Sequence, residues 1–405
     1  MLSENTIKIV KSTIPLLVSA GTGVTEHFYN RMFTHNPELK HIFNMSNQAT
    51  GKQPFALFNA LAAYAQHIDN LEVLTSALNR INHKHASLNI LPEHYPIVGH
   101  HLIETLRELV PDAFTAEVEE AWTQAYQLLA DICITQEQGL YRSNAEKAGG
   151  WTGERRFVIA EKNQESELVT SFTLTPIDGG VVAEHLPGQY LGIKVKPEGL
   201  DYTEIRQYSI SDKATASQYR ISVKKEAGSP MGLVSNYLHR LSEGDEVEVY
   251  PPAGDFYLQL TNKPVVLISA GVGLTPMMSM LETLVQGQLN HSVHYLHACE
   301  NKKQHSFFER VAELCEQHEA LSAHTWYNEE SEASLINHAH DNNQIRESSG
   351  LMALTRIQGE IPIKEGDFYL CGPNGFMSFI KQQLILLGVE PAQIHYEVFG
   401  PHTDL

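Results

Sequence analysis

The sequence predicts a multidomain chain: an all-α domain, then a small antiparallel β-barrel, then an α/β domain built on a parallel sheet. Three observations predict it. Up to about residue 141 the apolar residues recur at helical spacing; beyond residue 153 the period switches to two, in short strands cut by Gly and Pro; beyond residue 262 continuous apolar runs alternate with helical stretches. With 405 residues, each part is long enough to bury its own core. The expected boundaries are 1–141, a hinge at 142–153, then 154–262 and 263–405.

In the helical part, Leu74, Leu78, Ile81, His85 and Leu88 fall on one stripe, and Trp122, Leu129, Cys133 and Leu140 on another. His85 therefore sits among apolar neighbours, as either a hydrogen-bonded core histidine or a neutral imidazole able to ligate a metal. Its company adds weight to the second reading without deciding it: Tyr29 in a helix with Phe28, Met32 and Phe33, Phe43 in a turn, Gln53 at the next helix start, then Tyr95 and Glu137. Glu137 follows Leu129 and Cys133 by eight and four residues, which puts its carboxylate beside an apolar stripe and calls for a buried partner. Residues 143–153 are polar and end in Gly149-Gly150-Trp151-Thr152-Gly153, the composition of a short hinge.

Short strands at 168–174, 190–195, 219–224 and 246–250 suggest the barrel. Arg206-Gln207-Tyr208-Ser209 reads as a further strand in which a guanidinium matches a pyrophosphate bidentately while one face lines a flavin; a plain amphipathic barrel strand would read the same way. Gly232 and Ser235 open a helix whose free amides suit phosphate oxygens.

In the last part, apolar runs at 265–270, 293–298, 323–327 and 368–371 alternate with helices near 276–284 and 375–387. Ser269-Ala270-Gly271-Val272-Gly273-Leu274-Thr275-Pro276 follows one of these strands, with Thr275 expected to cap the helix and Pro276 to take its first position. Gly271 and Gly273 let the backbone approach a dinucleotide, although proline replaces the last glycine of the full fingerprint. Cys371-Gly372-Pro373 repeats the strand-then-glycine arrangement at the same sheet edge. Residues 329–349 read as a polar loop.

A net charge of -19 with no basic patch repels nucleic acid and anionic membrane surfaces. The four cysteines, Cys133, Cys299, Cys315 and Cys371, stand singly, so free thiols in a reducing compartment are expected. Glu4, Lys8, Lys11 and Pro15 interrupt the first apolar stretch, which therefore lacks the core of a signal peptide, and a cytoplasmic location is expected.

The segments Phe28 to Phe33, Ile42-Phe43-Asn44-Met45, Lys84-His85, Lys147 to Trp151, Pro187 to Tyr190, Arg206 to Ser209, Ser269 to Pro276, Tyr369 to Pro373 and His395 to Pro401, in this joint order, resemble the bacterial flavohaemoglobins. That nitric oxide dioxygenase family is matched over essentially the whole chain. The resemblance implies a globin domain holding haem b, a ferredoxin-reductase-type FAD barrel and an NAD(P) domain. It implies His85 as the iron ligand, Tyr29 and Gln53 facing bound oxygen, Leu57 walling the distal pocket and Phe43 packing on the haem. Tyr95 and Glu137 would stand behind the iron ligand, and Lys84 and Glu397 near the haem–flavin junction. Tyr190, Arg206, Gln207, Tyr208, Ser209, Gly232, Ser235 and the run Val398, Phe399, Gly400 and Pro401 would contact flavin. Gly271, Val272, Gly273, Leu274, Thr275, Pro276, Cys371, Gly372 and Pro373 would contact the nicotinamide dinucleotide. Val398 departs from the cysteine familiar at that position.

The implied reaction takes a hydride from NADH or NADPH to FAD and electrons singly to haem. Ferrous haem binds O2, and nitric oxide attacks the adduct to give nitrate. Two other readings are an oxygen carrier or sensor with an attached reductase, and a reductase serving an external acceptor. A monomer is expected, with no obligate membrane partner.

Overall fold

In the computed structural model, which describes residues 2–228, 232–287, 290–331 and 343–400, the chain divides into two compact units. The first comprises Met1–Glu154 and Gly192–Arg206, the second Arg155–Leu191 and Gln207–Leu405.

The helices of the first unit are α1 (Glu4–Ser12), α2 (Ile14–Ala20), α3 (Gly23–His35), α4 (Met45–Ala49), α5 (Lys52–Gln66), α6 (Thr75–Ser87), α7 (His94–Leu109) and α8 (Ala116–Glu146). Local chemistry starts several of them. The Ser3 hydroxyl accepts from the Thr6 amide at 3.0 Å and the Thr115 hydroxyl from the Val118 amide at 3.4 Å, each meeting one of the four orphan donors of a helix start. Val10, Val24, Tyr64, Leu106, Trp122 and Ala125 form one core, pinned where the Trp122 indole donates to the Thr13 hydroxyl at 3.1 Å. Each Val or Leu side chain so removed from water contributes roughly 1.5–3 kcal/mol, which is what holds helices of ordinary intrinsic propensity together. The helix α8 runs through Glu146, so the first part of the expected hinge is helical. Polar composition suggested a break there, but residues 141–146 contain no breaker, and Gly149 is the first.

Strands β1 (Arg155–Gln164), β2 (Val169–Pro176), β3 (Tyr190–Val195), β4 (Glu204–Ser209), β5 (Tyr219–Lys224) and β6 (Glu246–Ala253) form a six-stranded sheet in the order β4-β3-β6-β1-β2-β5. Its β6-β1-β2-β5 pairings are antiparallel. The apolar pattern does not reveal β1: Arg155, Arg156, Glu161 and Lys162 dilute it, and a bulge between Ile159 and Glu161 breaks the alternation. A helix, α9 (Leu233–Arg240), connects β5 to β6.

Strands β7 (Val265–Ala270), β8 (Val293–Cys299), β9 (Leu321–Tyr327), β10 (Ile345–Ser349), β11 (Asp367–Cys371) and β12 (Ile394–Glu397) form a parallel sheet in the order β10-β9-β8-β7-β11-β12. Helices α10 (Leu274–Gln286), α11 (Phe308–Gln317) and α12 (Asn374–Leu386) belong to the same unit. Leu267, Tyr295 and Tyr369 face one core with Met277, Leu281 and Leu314, while Val266, Ile268, Phe368 and Leu370 face a second with Ile380 and Leu384. Burial on both faces explains the near-continuous apolar runs. The expected loop at 329–349 is corrected in part, because Ile345–Ser349 pairs with β9 as an edge strand. An edge strand is free to be polar, so composition alone reads it as loop; residues 332–342 lie outside the described residues. No single helix among the described residues is long and apolar enough to cross a membrane.

Candidate functional site

His85 lies in the last turn of α6, Tyr95 in the first turn of α7 and Glu137 late in α8. The fold brings all three together. Glu137 Oε1 lies 2.7 Å from His85 Nδ1 and accepts the Tyr95 hydroxyl at 2.6 Å, and that hydroxyl is 3.2 Å from Nδ1. Glu137 is 2 % exposed, so burying its carboxyl would be costly without these partners. A carboxylate only accepts, so Nδ1 carries the hydrogen, and in that tautomer of the neutral ring Nε2 has the lone pair. One helical turn earlier, Asn82 Nδ2 donates to Gln136 Oε1 at 2.5 Å, tying α6 to α8. The sequence reading missed Asn82, whose polar identity on a buried face was the available signal. Burial pushes the Tyr95 phenol far above its ordinary pKa, so it remains a donor.

Tyr29, on α3, is buried against Phe28 and Phe33 and meets Phe43 edge-on with ring centroids 5.9 Å apart. Gln53, at the start of α5, donates to the Tyr29 oxygen at 3.4 Å. Leu57 and Phe43 pack against this same cluster, and Ile42 and Tyr126 pack against both it and the apolar residues around Tyr95. Burial raises the Tyr29 pKa to about 12, with Gln53 and Gln48 pulling it the other way. The hydroxyl therefore keeps its proton at any physiological pH.

Among the described residues no group of three or more His, Cys, Asp or Glu is placed to hold a bare metal ion. His85 can ligate only a metal that brings its other donors with it. A haem iron does so, and a neutral imidazole with its Nε2 lone pair available fits that demand.

In the sheet containing β3 and β4, Tyr190 begins β3 and Arg206 to Ser209 lie on β4. Arg206 donates to Glu204 Oε2 at 2.6 Å and to the Ile205 carbonyl at 2.9 Å, and its Nη2 lies 3.5 Å from the Ser46 hydroxyl. Glu204 is the missed partner here: its fully buried carboxylate aims the guanidinium. Ser209 is buried, while Gln207 and Tyr208 are half-buried. A Cβ on Gly254 would press on the Tyr190 ring at 2.9 Å, which explains the glycine there. Gly232 precedes α9 as expected, but the Ser235 hydroxyl turns back to the Gly232 carbonyl at 3.4 Å, and Asn236 donates to that same carbonyl at 2.7 Å.

At the carboxyl edge of the parallel sheet, Gly271 adopts φ +52°, and a Cβ on Gly273 would overlap the Cys371 carbonyl. The two glycine turns seen separately in the sequence therefore touch. The capping role expected of Thr275 is corrected: α10 starts at Leu274, Gly273 precedes it without a side-chain cap, and the Thr275 hydroxyl donates to the Val272 carbonyl at 3.0 Å. The short 3₁₀ turn Gly271–Gly273 tightens the entry and moves the helix start two residues earlier, so Pro276 occupies the third helical position. Pro373 precedes α12, and Cys371 is the register partner of Glu397. Burial, then the charge of Glu397, raises the Cys371 thiol well above its usual range. Val398 is buried, Phe399 exposed and Gly400 at φ +148°, a conformation that favours glycine; Pro401 lies outside the described residues. Lys84 is half-buried beside His85 on α6.

The sequence reading also missed a buried polar row beside this edge. Ser269 Oγ lies 2.9 Å from His297 Nδ1, His297 stacks on His305, His305 Nδ1 meets the Tyr327 hydroxyl at 2.7 Å, and that hydroxyl donates to Glu347 at 3.0 Å. Lys302 ends the row 2.9 Å from Glu347. His297, a histidine inside an apolar strand, was the available signal.

Comparison with known proteins adds to this geometry. The family described as Globin matches residues 26–133, the oxidoreductase FAD-binding domain residues 156–257, and the oxidoreductase NAD-binding domain residues 267–382. The chain is 55% identical over 408 residues to a flavohemoprotein of Vibrio cholerae serotype O1, covering 100% of both chains. Among solved structures, it is similar to a flavohemoglobin from Malassezia yamatoensis with bound FAD and heme, with a TM-score of 0.85 and 25% identity, covering 98% of this chain and 100% of that one. It is also similar to the FAD/NAD binding domain of a nitric oxide dioxygenase from Vibrio cholerae O1 biovar El Tor, with a TM-score of 0.56 and 48% identity, covering 61% of this chain and 99% of that one.

Proposed function

The chain belongs to the flavohemoprotein family, and from that premise we propose that it is an NAD(P)H- and O2-dependent nitric oxide dioxygenase, forming nitrate. Three domains divide the work: 1–141 for haem, 154–262 for FAD and 263–405 for NAD(P), with 142–153 between the first two. Haem would be held through His85 and would supply iron for the chemistry of dioxygen and nitric oxide, and FAD would supply the change from hydride to one-electron transfer, a stoichiometry of two nitric oxide molecules for each hydride.

The chain's own residues set the conditions. Glu137 and Tyr95 hold the His85 ring in one tautomer and make its Nε2 a stronger donor, which favours O–O activation over reversible carriage. This network is the observation that carries the reading over an oxygen carrier. Tyr29, kept protonated by burial, and Gln53 supply hydrogen-bond donors on the ligand side, and Leu57 and Phe43 exclude water there. Arg206, Tyr208 and Ser209 hold the flavin with Tyr190, Gln207, Gly232, Ser235, Val398, Phe399 and Gly400. The Gly271 to Pro276 turn and Cys371 to Pro373 hold the dinucleotide. Lys84 and Glu397 tune electron transfer. The substrates are O2 and nitric oxide, the protein works as a monomer, and its place is the cytoplasm.

The test is nitrate formed from nitric oxide, O2 and NADH. The reading requires many turnovers per haem, with Tyr29→Phe retaining haem and flavin spectra but losing about tenfold or more of the turnover, the worth of one strong hydrogen bond. A single turnover per haem would favour the carrier, and flavin reduction without haem reduction the external-acceptor reductase.

A further inference from the structure

Tyr29 has a second amide beside it. Gln48 lies near the end of α4, the short helix begun by Asn44, whose side chain accepts from the Asn47 amide at 3.1 Å. The Gln48 backbone is fixed on both sides: its N–H donates to the Asn44 carbonyl at 3.2 Å, and its carbonyl accepts from Gly51 at 3.1 Å. The side-chain amide is not fixed in this way. Its Nε2 is buried and has no hydrogen-bond partner among the described residues. Such a group is costly, and an apolar residue would avoid the cost, so the unmet N–H asks for an acceptor.

The surroundings narrow the choice. The helix α4 packs on α5, which carries Gln53, and Phe43 and Met45 next to it pack into the Tyr29 cluster. Gln48 is near enough to Tyr29 to favour its ionised form, as Gln53 does. Gln53 alone holds the phenol at 3.4 Å, a long bond, and among the described residues no acceptor within 3.5 Å takes the Tyr29 hydroxyl hydrogen. A phenol oxygen can accept while its own O–H donates.

Building on the haem reading above, we propose that Gln48 is a positioning residue of the distal site. Its amide donates to the Tyr29 oxygen alongside Gln53, leaving the Tyr29 hydroxyl hydrogen to point at the diatomic ligand. Two donors on one oxygen fix the rotor and polarise its O–H, which strengthens the bond that hydroxyl gives.

The test uses the reduced, haem-loaded full chain, with the C–O stretch of its carbon monoxide complex and the O2 dissociation rate as readouts. A hydrogen bond donated to the ligand lowers the C–O stretch. Gln48→Leu raises the stretch in the same direction as Tyr29→Phe, by less, and speeds O2 loss up to about tenfold; Gln48→Asn falls between Gln48→Leu and the parent. Gln48→Glu is diagnostic. Its carboxylate accepts the Tyr29 hydroxyl and turns it from the ligand, so the shift approaches that of Tyr29→Phe at neutral pH and recedes as the carboxyl protonates. A space-filling role predicts no such pH dependence. If Tyr29→Phe shifts the stretch while Gln48→Leu and Gln48→Glu match the parent, the role of Gln48 is overturned and the haem reading stands. If Tyr29→Phe itself leaves the stretch unmoved, the distal reading of Tyr29 falls. Should Gln48→Glu fail to load haem, Gln48→Leu decides.

Discussion

The carboxylate of Glu137 lies 2.7 Å from His85 Nδ1, with its other donor, Tyr95, on the same oxygen. One oxygen thus fixes both the ring's tautomer and its rotation. Glu137→Gln keeps an acceptor but removes the charge, and Glu137→Leu removes both. Haem affinity is expected to fall about 10-fold in the first and about 100-fold in the second, as for other groups that orient metal ligands. The haem transfer rate to an apo-globin acceptor measures it, and equal rates in all three proteins would refute the role.

Acid stability carries a second prediction. Burial depresses the His297 pKa from its ordinary 6.5 to about 3, and moves His305 in the same direction. Below about pH 6.5 the unfolded chain binds a proton that folded His297 refuses, so stability present above that pH is lost as pH falls toward 3. The loss is about 1.4 kcal/mol per pH unit for one such proton. Urea midpoints should fall more steeply from pH 6.5 to 4 in the parent than in His297→Gln; parallel curves would contradict this.

The charges after β8 bear on dinucleotide choice. Lys302 is held by Glu347, which also accepts from Tyr327, whereas Glu300 and Glu329 are exposed at neighbouring strand ends, where their side chains, among the described residues, accept from the neutral amides of Asn328 and Asn301. Carboxylates at such an edge would disfavour a 2′-phosphate. NADH should outperform NADPH in kcat/KM, and Glu347→Gln, by releasing Lys302, should narrow the ratio about tenfold. An unchanged ratio would remove Lys302 from the account.

Gly273→Ala would drive a methyl group into the Cys371 carbonyl. Both are backbone-bound, so neither yields cheaply. The expected result is a weakened KM for NADH with haem reduction by dithionite unaffected; a parent-like KM would show that the turn can shift.

The sequence made some features legible and hid others for physical reasons. Period and residue order located both sheets' main strands, the glycine turns and the trio His85, Tyr95 and Glu137, because burial imposes a repeat and rare residues stand out against it. The strand β10 was hidden because an edge strand need not be apolar, and β1 because a bulge breaks its alternation. Thr275 misled because a 3₁₀ turn shifts the helix start, a geometric detail carried by no residue type. Glu204 and Gln48 depend on contacts between distant segments, and nothing local marks them.

The helix α8 carries Trp122, anchored to Thr13, and Glu137, anchored to His85, on one unbroken rod. Inserting or deleting a single residue between them would swing one anchor about 100° around the axis relative to the other. Evolution can repaint this stretch by substitution, but its length is locked, so any frame change there would cost His85 its partner while leaving the helix itself intact.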